Sequence, residues 1–234
     1  YGIRDRVDLA EIRALDVPFW LAGGYSSHAR LAEALAEGAT GVQVGTAFAL
    51  TNESGLREDL KRALLTEVAA GRGRVLTDPL ASPTGFPFKV AQVAGTASDP
   101  AVINKRSRVC DLGFLREAYT LSDGAIGYRC SAEPVASYVR KGGAEDATFG
   151  RKCLCNALLA NIGQAQIRPA GLVAPPLVPL GDDINTVARF LVPDSTGYSA
   201  AYVIEIILNG PDGGTRKPVP VPFSSDILAT HSQL

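Results

Sequence analysis

The chain has 234 residues, a formal net charge of −1 and 46% apolar side chains, with acidic and basic residues nearly balanced. Such a composition suits a globular protein with ample material for a core, and the mixed charges leave no electrostatic footprint for nucleic acid or an anionic membrane. No apolar run approaches the length that crosses a bilayer, and the opening YGIRDRVD has neither a basic leader nor an apolar signal core, which points to the cytoplasm.

Residues 1–16 set Leu9, Ile12, Ala14 and Leu15 among charges, the pattern of a helix with one apolar edge. From Val17 to Ala22 the chain is apolar, and Gly23 and Gly24 break it, so this run reads as a buried strand and its exit turn. Ser26 or Ser27 can cap a helix whose apolar face carries Ala29, Leu31, Ala34 and Leu35, and Gly38 stands where a left-handed C-terminal cap is wanted. Val42 and Val44 begin a second strand, which Gly45 and Thr46 close. One crossover helix between two strands makes them parallel neighbours. His28, one of two histidines, opens the helix at the ligand end and reads either as a phosphate contact or as a solvated helix-start side chain.

Two glycine turns therefore fall at the same end of adjacent parallel strands. Without a Cβ, backbone N–H groups there can approach a ligand closely and form a concavity suited to an anion, a phosphate above all. In (β/α)₈ barrels the phosphate site is commonly built from the loops after the seventh and eighth strands, and this pair fits that place. The competing role for the glycines is close packing of strand on helix.

Beyond Phe48, Asn52 or Ser54 can cap a helix carrying Leu56, Leu60, Leu64 and Val68 at helical spacing. Residues 75–90 hold Pro79, Pro83, Gly85 and Pro87, so the chain is expected to leave regular structure there. That stretch marks a boundary between residues 1–75 and an extension, 76–208. All four cysteines, Cys110, Cys130, Cys153 and Cys155, lie in the loop-rich part of the extension. In a cytosolic chain they suggest metal or redox chemistry more than disulfides, and Arg108, Arg129, Arg151 and Lys152 beside them would offset thiolate charge. Zinc on four thiolates is the first choice and an iron–sulfur cluster the second, against four independent buried thiols. Further helices are expected over Cys153 to Ile162, after a cap at Asp182 or Asp183 with Val187, Phe190 and Leu191 inside, and from Ser199 through Leu208. Residues 209–234 lose all apolar period and read as a disordered tail.

The order Ala22, Gly23, Gly24 and then Gln43, Val44, Gly45, Thr46, Ala47, Phe48 resembles the flavin-phosphate segments of the nitronate monooxygenase family, formerly called 2-nitropropane dioxygenases. SPTGFPFKV (Ser82 to Val90), RVCDLG (Arg108 to Gly113), GYRC (Gly127 to Cys130), YVRKGG (Tyr138 to Gly143) and GRKCLCN (Gly150 to Asn156) resemble a longer, actinobacterial-type branch of it. The resemblance implies an α/β chain: the C-terminal fragment of a TIM barrel, strands seven and eight with flanking helices, followed by a mainly helical, loop-rich extension. The absence of methionine fits a fragment. Six strands would then lie upstream, and this piece alone would expose apolar surface and be unstable.

It also implies an FMN-dependent oxidase that takes a small-molecule substrate, an alkyl nitronate, passes one electron to flavin and lets O₂ trap the radical. By matching position, Gly23, Gly24, Gly45 and Thr46 would meet the FMN phosphate, with Ala22 and Gln43 beside them, and Thr84 or Lys89 could line the site. The family's histidine near the flavin matches neither His28 nor His231, so no catalytic residue is assigned. Homo-oligomers are admitted. Two alternatives stand beside this reading: an FMN-dependent enoyl-thioester reductase with the same phosphate turns, and a non-catalytic module organised by the cysteines.

Overall fold

The computed structural model describes residues 7–191 and 195–210. Asp8 opens the first helix, α1 (Leu9–Ala14), its carboxylate accepting from the N–H groups of Ala10 and Glu11. Strand β1 (Trp20–Ala22) follows, then helix α2 (His28–Ala36) and strand β2 (Gly41–Gln43). The hydroxyl of Ser27 caps α2 by accepting from Arg30 N–H at 3.3 Å, and Gly38, at φ +85, ends it. Strands β1 and β2 pair in parallel, with Trp20 opposite Gly41, Leu21 opposite Val42 and Ala22 opposite Gln43.

Past β2 the local structure departs from the sequence reading. Thr46 does not close a strand; it opens a one-turn helix, α3 (Thr46–Ala49), with Gly45 at its N-cap. The next helix, α4 (Glu58–Ala69), begins after Arg57 rather than at Asn52 or Ser54. Its late start has a physical cause. The buried ammonium of Lys61 donates to the carbonyls of Thr51, Asn52 and Ser54 at 3.2, 3.2 and 3.3 Å, which folds that segment into a loop around a charge. Glu58 and Asp59 then sit in the first turn of α4, where acidic side chains suit the helix dipole.

Regular structure also continues where the proline cluster suggested it would stop. Strands β3 (Val75–Asp78) and β4 (Phe88–Ala91) form an antiparallel hairpin, and the prolines occupy its connection. After α5 (Pro100–Ile103), strands β5 (Glu117–Thr120) and β6 (Ile126–Arg129) make a second hairpin. Helices α6 (Val135–Arg140) and α7 (Leu154–Asn161) follow, then the short pair β7 (Ile167–Arg168) and β8 (Leu172–Val173). A 3-10 helix spans Asp182–Phe190, and α8 (Ala200–Asn209) starts at a Ser199 cap that accepts from Tyr202 N–H. The extension is thus built on hairpins as much as on helices. The tail expected beyond Asn209, with His231, lies outside the described residues from 211 onward.

The described strands form four two-stranded sheets and no closed barrel, and no described helix is long and apolar enough to cross a membrane. The main core joins distant parts of the chain. Leu60, Leu64 and Val68 of α4 meet Ile184, Val187 and Phe190 of the 3-10 helix, while α8 brings Val203, Ile206 and Ile207 against α2 and α3. At roughly 25 cal/mol per Å² of apolar surface removed from water, this contact is a principal stabiliser of the described fold. A second core gathers Val90, Ala97, Leu154, Ala157 and Leu177. Around β1, by contrast, Leu15, Val17 and Trp20 are 64%, 54% and 58% exposed, so apolar surface is left uncovered there.

Candidate functional site

Parallel pairing decides where the glycine turns lie. Because Ala22 stands opposite Gln43, Gly23 and Gly24 leave β1 at the same end at which Val44 and Gly45 leave β2. Ala22, Gly23, Gly24, Gln43 and Gly45 are all exposed there, and Thr46 is buried just behind them. Gly23 and Gly24 hold φ of +90 and +79, a region that L side chains enter only at a cost of about 1–2 kcal/mol. Gly45, at φ −106, has no such backbone need.

A Cβ placed on Gly23, Gly24 or Gly45 meets no atom within 4 Å. Close packing of strand on helix requires the opposite, so that role finds no support. What remains is exposed backbone with open space above it. The N–H groups that open α3 have no intrahelical partner by helix geometry, and Gly45 brings no side-chain cap to satisfy them. Thr46 Oγ1 accepts from Gly181 N–H at 2.9 Å, which leaves the hydroxyl proton available for donation. Donors of this kind suit an anion, with Thr46 buried beneath the exposed Gly45.

The other residues considered for the site take structural roles. His28 donates from Nδ1 to the carbonyl of Ile207 at 3.2 Å, tying α2 to α8. Thr84 pairs its hydroxyl with that of Ser82 at 2.8 Å and lines an apolar groove of about 690 Å³ with Phe86, Phe88 and Phe114. Lys89 makes an ion pair with Asp182, next to the Gly181 that bonds Thr46.

Among the described residues, no group of three or more His, Cys, Asp or Glu side chains is placed to hold a metal ion. The shared site expected on Cys110, Cys130, Cys153 and Cys155 is therefore not assembled: all four are free thiols, Cys130 buried and the others half-buried. The neighbouring cations in sequence make their hydrogen bonds and ion pairs elsewhere, although Arg108 also interacts electrostatically with Cys130. Lys152 pairs with Asp78 at 2.5 Å, Arg129 with Glu117 at 2.7 Å, Arg108 donates to the carbonyls of Ser131 and Thr148, and Arg151 to those of Pro79 and Ser82.

Cys153 and Cys155 do form a pair at the start of α7. The thiol of Cys155 donates to Cys153, and this bond above all, opposed by burial and aided by Asn156 and the Arg106 guanidinium, holds Cys153 well below the usual thiol range. The same bond, with burial, pushes Cys155 up. Burial alone dominates at Cys130, whose thiol is pushed up to about 11. Arg106 and Asn156, which the sequence reading missed, come to Cys153 from 47 residues upstream and from the next turn of α7; only the second was legible as i, i+3 spacing.

Comparison with known proteins bears on the first of these places. Curated proteins and solved structures give no match to the chain. Residues 7–75, the segment that holds both glycine turns, match the family model described as nitronate monooxygenase, and in that segment the chain is similar to this family of oxidoreductases.

Proposed function

We propose that residues 7–75 form the phosphate-gripping part of an FMN-dependent oxidoreductase that oxidises alkyl nitronates with O₂, β1 and β2 being the seventh and eighth strands of a (β/α)₈ barrel. The observation that carries this reading is the open space over Gly23, Gly24 and Gly45 at one end of a parallel pair, inside the segment similar to nitronate monooxygenases. When bound, the flavin supplies one-electron chemistry that no side chain can. The chain supplies placement. Backbone N–H groups after β1 and β2 and the hydroxyl of Thr46 hold the terminal phosphate, where a dianion gains most from converging donors. Gly181, by donating to Thr46 Oγ1, fixes that hydroxyl so that its proton is directed elsewhere. Gln43, opposite Ala22, stands at the rim. No residue is assigned the removal of a substrate proton.

Titration of FMN into the full-length protein that carries all eight strands, followed by quenching of flavin fluorescence, tests the reading. Saturable quenching that weakens about tenfold in Gly45→Ala, equivalent to about 1.4 kcal/mol, is the expected result. Absence of quenching by the unaltered full-length protein sinks it. Oxygen uptake with an alkyl nitronate then distinguishes this activity from enoyl-thioester reduction, in which NADPH would bleach the flavin and the nitronate would be ignored.

A further inference from the structure

Cys153 lies at the N-cap of the eight-residue helix α7 and on the wall of a cavity of about 190 Å³. Lys105, Arg106 and Arg168 line the same cavity, and no carboxylate does. Two of these cations are held in place: Arg106 donates to the carbonyls of Ala132 and Arg151, both at 3.2 Å, and Arg168 is paired with Asp111 at 2.9 Å. A sulfur at a helix N-terminus facing fixed cations is set up to carry negative charge.

Asn156 is the second observation. It lines the cavity, is 2% exposed, and uses its Nδ2 to donate to Cys153 Sγ at 3.3 Å and to Asp111 at 2.8 Å. Its Oδ1 is buried and has no hydrogen-bond partner among the described residues. A buried amide oxygen without a donor is unfavourable by about 1–3 kcal/mol, so a molecule that brings an O–H or N–H is favoured beside the sulfur. Cys155 stands two residues on in α7, and each of the two sulfurs shifts the titration of the other.

We propose that Cys153 is a peroxide-reactive thiol and that Cys155 resolves it as a reversible disulfide. The Cys153 sulfur, having released its proton, attacks one oxygen of hydrogen peroxide; an S–O bond forms, the O–O bond breaks, and the departing hydroxide takes up that proton as water. The peroxide's other O–H is accepted by Asn156 Oδ1, and the charge on the departing oxygen is steadied by Arg106. The sulfur of Cys155 then attacks the sulfenic sulfur; the S–S bond forms, the S–O bond breaks, and hydroxide leaves with the Cys155 proton as a second water. Two thiols are oxidised and one peroxide is reduced, with no flavin involved, so the proposal stands apart from the reading of residues 7–75.

The test is peroxide treatment of the full chain, blocking of remaining thiols, and peptide mass mapping. A disulfide joining Cys153 to Cys155 is expected, with Cys110 and Cys130 still alkylated. In Cys155→Ser, a sulfenic acid at Cys153 should be trapped by a dimedone probe, and Cys110→Ser should leave the disulfide yield unchanged. Oxidation of Cys153 no faster than that of Cys110 overturns the proposal, as does a disulfide between any other pair. Stoichiometric zinc on the purified chain that protects Cys153 from peroxide also overturns it.

Discussion

Thr46 and Gly181 are bonded across 135 residues of chain, hydroxyl oxygen to backbone N–H, at 2.9 Å. The turn that ends the parallel pair is thereby anchored to the residue that opens the 3-10 helix, so the geometry of the glycine cradle depends on a distant loop. Replacing Thr46 by Val keeps the shape and removes the acceptor, leaving a part-buried N–H unpaired. A loss of about 1–2 kcal/mol is expected in urea unfolding, with Thr46→Ser close to the parent protein. A Thr46→Val protein as stable as the parent would show that the bond contributes nothing.

Gly23 and Gly45 separate two reasons for a glycine. Gly23→Ala should cost about 1–2 kcal/mol in denaturant titration, because φ is +90 and the added Cβ has no contact to compensate. Gly45→Ala should cost less than about 1 kcal/mol, since φ is −106 and nothing stands within 4 Å. Its effect should instead fall on FMN binding. A Gly45→Ala protein that is strongly destabilised would return the packing role to favour.

Lys61 is 3% exposed and surrounded by three carbonyl oxygens, with Glu58 at 2.5 Å supplying the counter-charge. Lys61→Met keeps the length and deletes the donors, so three carbonyls lose their partner together. A loss of about 2–4 kcal/mol is expected, together with earlier proteolytic cleavage between residues 51 and 57. A thermal midpoint unchanged in Lys61→Met would mean that the loop holds its shape without the ammonium.

Stability should fall on the alkaline side, and Cys130 gives the sign. Its thiol is pushed by burial from an ordinary 9.0 up to about 11 in the folded protein. Between those values the native chain keeps a proton that the unfolded chain has released, so raising the pH favours unfolding. Full titration amounts to about 2–3 kcal/mol. Burial raises the Tyr198 hydroxyl too, which adds to the loss at higher pH. Urea midpoints at pH 8 and pH 11 should therefore differ less in Cys130→Ala than in the parent, and identical pH dependence would refute the assignment.

Elements whose ends are marked by local chemistry were legible in the sequence. Helix α2 announces itself through Ser27 and Gly38, and α8 through Ser199, because caps act within a few residues of where they stand. The hairpins were not. In β3–β4 the prolines fall in the connection, so a reading based on breakers discards the strands on either side; in β5–β6 each strand has four residues, largely exposed, and shows no buried period. The 3-10 helix could have been recognised from Ile184, Val187 and Phe190, which recur every third residue and so share one edge only at three residues per turn. For the placement of both glycine turns at one end of a parallel pair, an implied crossover sufficed, because parallel pairing follows from connection length. The setting of Cys153 did not follow, since Arg106 and Arg168 reach it only through tertiary folding.

The packing of α4 on the 3-10 helix and of α8 on α2 and α3 bears on how the chain is made. Leu60 and Leu64 leave the ribosome more than a hundred residues before Val187, Val203 and Ile207. Until those arrive, the apolar face of α4 has nothing to close upon, and a nascent chain of this length stands with its seam open for several seconds at typical rates of about 5–20 residues per second. Chaperone capture during synthesis should accordingly concentrate on the apolar face of α4 and end once α8 has emerged.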